Sequence, residues 1–147
     1  MRTVLRNGGP YGDGRSTAQR RRIAAAVPER AFTVAELAEA VASVDPAIGL
    51  ATVYRAVGAM ERSGWLTRVG DASGTTLYAR CHESEHHHHA VCTRCGRVEH
   101  TPCPVAAAPG ISAPSGFRVT SHELTLYGLC ETCESEPDPG AGPGDWA

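Results

Sequence analysis

Two CxxC units, Cys92/Cys95 and Cys130/Cys133, and four consecutive histidines, His86 to His89, shortly after Cys81, are the residues of this 147-residue chain best suited to chemistry. A CxxC sets two thiolates on one tight turn at a reach that suits a Zn–S bond of about 2.3 Å, and two such turns close a tetrahedral four-cysteine site without water. That is the donor set of a structural zinc. Disulfides would use the same cysteines, but the N-terminus lacks the basic-then-apolar pattern of a secretory signal, and paired CxxC units in a cytoplasmic setting favour metal. Thioredoxin-like redox chemistry needs a single CxxC in a βαβ setting, and neither feature is present. In an extended segment alternate side chains face opposite sides, so His87 and His89 can serve one metal and His86 and His88 another. Cys103, a single thiol before a proline, reads more simply as a small apolar side chain.

Composition narrows the classes. No apolar run approaches the roughly 18 residues of a membrane span. All 14 basic residues are arginine and the net charge is −2, but the charge is uneven: residues 1–70 carry ten Arg against six acids, and residues 71–147 four against ten. A basic half joined to an acidic, Cys/His-rich half suits a nucleic-acid reader attached to a metal module. A zinc hydrolase would need an open metal position with a general base, and the thiolate-rich set without HExxH argues against it. No catalytic residue is assigned, and no enzyme activity or small-molecule substrate is expected.

The elements that must position these residues follow from pattern. Residues 1–15, with Arg2, Arg6 and Arg15, have no apolar period and read as a flexible arm. A first helix is predicted over Thr17 to Val27, with Ile23, Ala26 and Val27 inward and Arg20 to Arg22 outward. Thr33 and Glu36 form a capping box for a second helix carrying Val34, Leu37, Ala38 and Val41, ended by Asp45-Pro46. A third helix spans Ala51 to Ser63, with Val53, Val57 and Met60 inward and Gly64 as its C-cap. Trp65 to Val69 and Thr75 to Arg80 then form a hairpin about a turn at residues 70–74, so residues 16–81 read as a winged helix-turn-helix. Beyond Cys81, strands are predicted at His89 to Cys92, Arg97 to Thr101 and Phe117 to Tyr127. Any helix in Val105 to Gly116 is short, and residues 135–147 read as a disordered tail. The third helix offers Thr52, Tyr54 and Arg55 to DNA and the first offers Arg20, since guanidinium groups pair with phosphates and guanine edges. The plain alternatives are a packing role for Tyr54 and a solvated face for Arg20 to Arg22.

The segments Ser16-Thr17-Ala18-Gln19-Arg20, Thr33-Val34-Ala35-Glu36-Leu37 and Ala51-Thr52-Val53-Tyr54-Arg55-Ala56-Val57, followed by HHHH-x2-CxxC and a distal CxxC, resemble the ferric uptake regulator family over about residues 16–134. The resemblance implies an α+β protein: an N-terminal winged helix-turn-helix followed by a small α/β dimerisation domain, residues 82–134, with a four-cysteine zinc site. It also implies a homodimeric, metal-dependent repressor on a double-stranded DNA operator. Within the family the chain looks most like the actinobacterial zinc uptake regulator branch. That likeness implies regulatory zinc on Cys81, His87 and His89, and a second regulatory site of His86 and His88 joined by His122. Two family carboxylates are replaced: Thr67 stands at one, leaving Asp71, His82 or water, and Val105-Ala106-Ala107 at the other, with Cys103 and Glu99 nearby. Iron and peroxide sensors of the family usually carry a histidine before the second helix, an HHDH run and Tyr-Glu, where this chain has Phe32, HHHH and Tyr78-Ala79. The expected function is zinc-sensing repression of zinc uptake and homeostasis genes, with zinc locking the dimer. An iron, manganese or peroxide regulator, or a zinc buffer or metallochaperone, is the alternative.

Overall fold

The computed structural model describes residues 9–81, 86–103, 115–118 and 120–136. The first eight residues, His82, the stretch that includes Val105 to Ala107, Val119 and the tail from residue 137 lie outside the described residues.

Helix α1 runs Ala18–Ala25, α2 Val34–Val44 and α3 Leu50–Arg62. The α2 box forms as its residues require: Thr33 Oγ1 accepts the Glu36 N–H at 3.2 Å, and Glu36 Oε2 accepts the Thr33 N–H at 2.7 Å. Thr33→Ala is therefore expected to cost about 1 kcal/mol, readable as a shift in urea midpoint at unchanged slope. Past α3 the chain turns at Gly64, φ +76°, a left-handed conformation that glycine adopts without strain. Ile23, Leu37, Val41, Val53, Val57 and Met60 meet at a buried core with Phe32 and Leu66.

Strands β1, Leu66–Ala72, and β2, Thr75–Arg80, pair antiparallel to make the wing. The turn is two residues, not five. Ser73 and Gly74 take φ +51° and +78°, the successive positive values whose twist matches a hairpin, so Gly70 and Asp71 pair with Leu77 and Thr76 instead of turning. A bulge falls between Arg68 and Gly70.

Among the described residues the second unit holds a three-stranded sheet in the order β4-β3-β5, with β3 at His87–Cys92, β4 at Val98–Pro102 and β5 at Thr125–Gly128. Strand β3 is antiparallel to β4 and parallel to β5. The strand expected over Phe117 to Tyr127 is only its C-terminal part. Strand β5 forms where it can bond to β3, His89 to Cys92 facing Thr125 to Gly128, while Phe117 is 73% exposed. A short helix α4, Glu131–Ser135, follows and was not expected.

Residues 9–15 depart from the loose arm read from composition. Tyr11 is buried in the core, and the Pro10 carbonyl accepts the Ser63 hydroxyl at 2.9 Å. One aromatic among the glycines supplies enough apolar surface to fold that segment back.

The two units touch. Ala31, Val69, Leu77 and Ala79 pack with Val91 and Val98, and the Ala31 N–H donates to the Gly96 carbonyl at 2.8 Å. The Tyr127 ring lies against Gly70, where any side chain would collide with its hydroxyl. Among the described residues no helix is long and apolar enough to cross a membrane.

Candidate metal centres and nucleic-acid face

Strand β3 ends on Cys92, and a tight turn closed by the Gly96 N–H on the Cys92 carbonyl, 2.9 Å, brings Cys95 beside it. Cys130 caps α4 and Cys133 lies within it, so all four sulfurs come within 4.8 Å of one another. Cys95 and Cys130 Sγ are 3.8 Å apart. A tetrahedron with Zn–S of about 2.3 Å has an edge of about 3.8 Å, so this group fits zinc as it stands. Burial opposes ionisation of Cys92, but the backbone N–H groups of Cys95, Cys130 and Arg94 outweigh it and bring the thiol down to about 6. Burial and then the neighbouring sulfurs push Cys133 up to about 12. Four thiolates cannot share this space without a cation, and a divalent ion supplies the missing charge. All six cysteines are free thiols.

Cys81, His87 and His89 form a second group. Cys81 follows the last wing residue and is buried, its N–H held by the Trp65 carbonyl at 3.1 Å. His87 and His89 share one face of β3, with ring centres 4.9 Å apart, and Cys81 Sγ reaches His87 Nε2 at 3.4 Å. His89 is 8% exposed and its Nε2 is buried without a hydrogen-bond partner. Burial, then the charges of His87 and His100, lower its pKa to about 4, so the ring is neutral near pH 7. A buried polar nitrogen without a partner is costly, and a metal ion answers that cost.

The opposite face of β3 carries the third group: His86, His88, Cys103 and His122. Nε2 of His122 lies 3.0 Å from His86 Nε2, 3.1 Å from His88 Nε2 and 3.1 Å from Cys103 Sγ. One imidazole nitrogen offers one lone pair or one proton and cannot satisfy three neighbours, whereas a cation can take all four donors. Burial first, then His86 and His122, lowers the pKa of His88.

Among the described residues none of the three groups includes a carboxylate. Thr67 pairs with Ala79 in the wing, Asp71 lies outside the Cys81 group, and Glu99 is paired with Arg97 at 2.5 Å. Of the two residues named near the second replaced carboxylate, Cys103, otherwise read as a small apolar side chain, is in the His122 group. Hairpin register could have found it: the β3–β4 ladder pairs His87 with Pro102, which carries His86 toward Cys103.

The arginines divide. A groove between α1 and α3 is lined by Arg15, Thr17, Arg20, Thr52 and Arg55. Arg20 is held there by the Arg15 carbonyl at 2.9 Å and by stacking 4.9 Å over the Tyr11 ring, whose hydroxyl donates to the Arg20 carbonyl. Arg55 donates to Thr52 Oγ1 at 3.2 Å. Tyr54 is 56% exposed, so it does not pack the helices, while Arg22 is tied to Asp45.

A family model described as the ferric uptake regulator family matches residues 12–127. The ferric uptake regulation protein of Neisseria meningitidis is 35% identical over 91 residues, 60% of this chain and 62% of that protein. That of Cupriavidus metallidurans is 38% identical over 94 residues, 61% and 65%. The matched segments thus span less than two thirds of these relatives. Among solved structures, a zinc-bound manganese uptake regulator is 33% identical with TM-score 0.57, over 88% of this chain and 99% of that one. The ferric uptake regulator of Vibrio cholerae is 29% identical with TM-score 0.55, over 79% and 92%. A zinc uptake regulator complexed with zinc and DNA, 23% identical over 82% and 83%, shares the fold with TM-score 0.64.

Proposed function

This chain belongs to the ferric uptake regulator family, and on that premise we propose that it is a zinc-sensing transcriptional repressor of zinc uptake and homeostasis genes. Members of the family are transcriptional regulators, not enzymes. The observation that carries the zinc reading is the donor chemistry: each of the three groups holds thiolate, and no described carboxylate joins them. Thiolate with imidazole suits zinc, whereas iron(II) and manganese sites draw more on carboxylate and water.

Cys81 fixes the wing end and His87 and His89 fix β3, so one ion between them would set the orientation of the DNA-reading unit, residues 16–81, on the dimerisation unit, residues 82–134. Zinc, when held, supplies the charge and the four-coordinate geometry. Cys92, Cys95, Cys130 and Cys133 hold a structural zinc that completes the small sheet, and His86, His88, Cys103 and His122 hold a second regulatory ion. The homodimer forms around the second unit, where Leu126 in the edge strand β5 and Leu129 just after it are exposed. In the locked dimer the two α3 helices stand at the spacing of successive major grooves on a palindromic operator. Tyr54 and Arg55, with Thr52 and Arg20, make the contacts. Metal and operator then reinforce one another by linkage. The protein works in the cytoplasm, where its thiols stay reduced.

Fluorescence anisotropy on a palindromic AT-rich operator, with free Zn2+, Fe2+ and Mn2+ buffered separately, tests the reading. Zinc is expected to switch binding on at the lowest free concentration. A lower threshold for iron or manganese would make this a sensor of that metal, and tight metal-independent binding would remove the sensor role.

A further inference from the structure

The Cys81 group supplies three donors, and a structural or locking zinc takes four. The β3–β4 register shows what stands over the open position. His100 pairs directly with His89, and residues opposite one another in an antiparallel ladder project from the same face. That face is the one shared by His87 and His89. The ring centre of His100 lies 4.7 Å from that of His87 and 5.3 Å from that of His89, and His87 and His89 are 4.9 Å apart. Imidazoles bound to one tetrahedral zinc at about 2.0–2.1 Å, with each ring centre about 1.1 Å beyond its nitrogen, have centres about 5 Å apart. The three ring centres are thus spaced as those of three imidazoles on one ion, while no His100 nitrogen lies within 4.8 Å of all three donor atoms of Cys81, His87 and His89, so the His100 ring must turn to bind.

We propose that His100 is the fourth ligand of the Cys81, His87 and His89 centre, making it a closed site of one cysteine and three histidines rather than one finished by a carboxylate or water. This rests on the reading of that group as a metal centre. It gives both regulatory groups the same donor set, one thiolate and three imidazoles, on the two faces of a single strand. A closed tetrahedral set leaves no room for the extra waters that six-coordinate iron(II) or manganese(II) retain, so the face would discriminate by geometry as well as by ligand softness.

Cobalt(II) reports coordination directly. In the full-length protein with the four-cysteine group loaded with zinc, and with His122→Ala removing the other regulatory group, one equivalent of Co2+ is expected to give the intense visible bands of four-coordinate cobalt. A thiolate-to-cobalt charge-transfer band from Cys81 should accompany them. His100→Ala should keep the charge-transfer band, weaken the visible bands to those of higher coordination, and lower zinc affinity by about 100-fold or more, beyond what loss of a merely orienting residue does. His100→Cys should restore four-coordination and roughly double the charge-transfer intensity, which only contact with the metal can do. Unchanged visible bands in His100→Ala, with no added charge transfer in His100→Cys, would overturn the assignment. Retained zinc in the four-cysteine group and circular dichroism confirm folding. Neither spectrum involves DNA: metal-independent operator binding would sink the metal-sensing reading and leave the ligand standing, and unchanged spectra beside zinc-switched binding would do the reverse.

Discussion

Cys92→Ser is expected to be isolated without the zinc of its four-cysteine group and with the chain unfolded from β3 onward. Among the described residues, three short strands and a five-residue helix enclose little apolar surface of their own, and the second unit sends only Val91 and Val98 into the small shared cluster. Units of this size commonly need a metal to complete their folding. Apparent zinc binding in such frameworks is worth about 10–16 kcal/mol, comparable with the roughly 5–15 kcal/mol that holds a whole domain folded. Cys92 is also the residue where strand and knuckle meet: it ends β3, and its sulfur accepts the Cys130 N–H at 3.4 Å. Zinc release assay, near-ultraviolet circular dichroism and size-exclusion chromatography read the outcome. A folded dimer that keeps its full zinc content would remove the structural role given to this group.

Cys81→Ser is expected to behave differently, losing zinc-activated operator binding while remaining a folded dimer with its structural zinc. Coupling between two sites through one conformational equilibrium is typically about 1–3 kcal/mol, so affinity in saturating zinc should fall by roughly 5–150-fold, toward that of the metal-free protein. The hydroxyl nearly preserves the shape of a buried side chain but not a soft ligand, so folding is spared and metal is not. Anisotropy with and without zinc measures the coupling, and sedimentation checks the dimer. Loss of fold in both variants alike would refute the division into structural and regulatory thiols.

Much of this was legible in the chain because local chemistry decided it. The Thr33/Glu36 box and Gly64 mark the ends of helices in the winged half within a residue or two, and period-two alternation puts the histidines on two faces. What escaped was decided at a distance. The extent of β5 depends on which residues β3 can pair with, and the length of the wing turn depends on Ser73 accepting a positive φ, leaving Gly70 for Tyr127. His100 is inconspicuous in sequence, and Cys103 stands there only as one of two residues near a replaced carboxylate. They gain meaning from a ladder whose register is set by the knuckle between Cys92 and Arg97.

Because one strand serves both faces, the His run has a length constraint with parity. Inserting or deleting one residue within His86 to His89 would exchange the two sets of rings, presenting each thiolate with the other's histidines displaced by half a pleat. A change of two residues would return every ring to its own side. Drift in this stretch should therefore occur by substitution or in steps of two, and an odd change should silence both regulatory groups at once while leaving the four-sulfur knuckle intact.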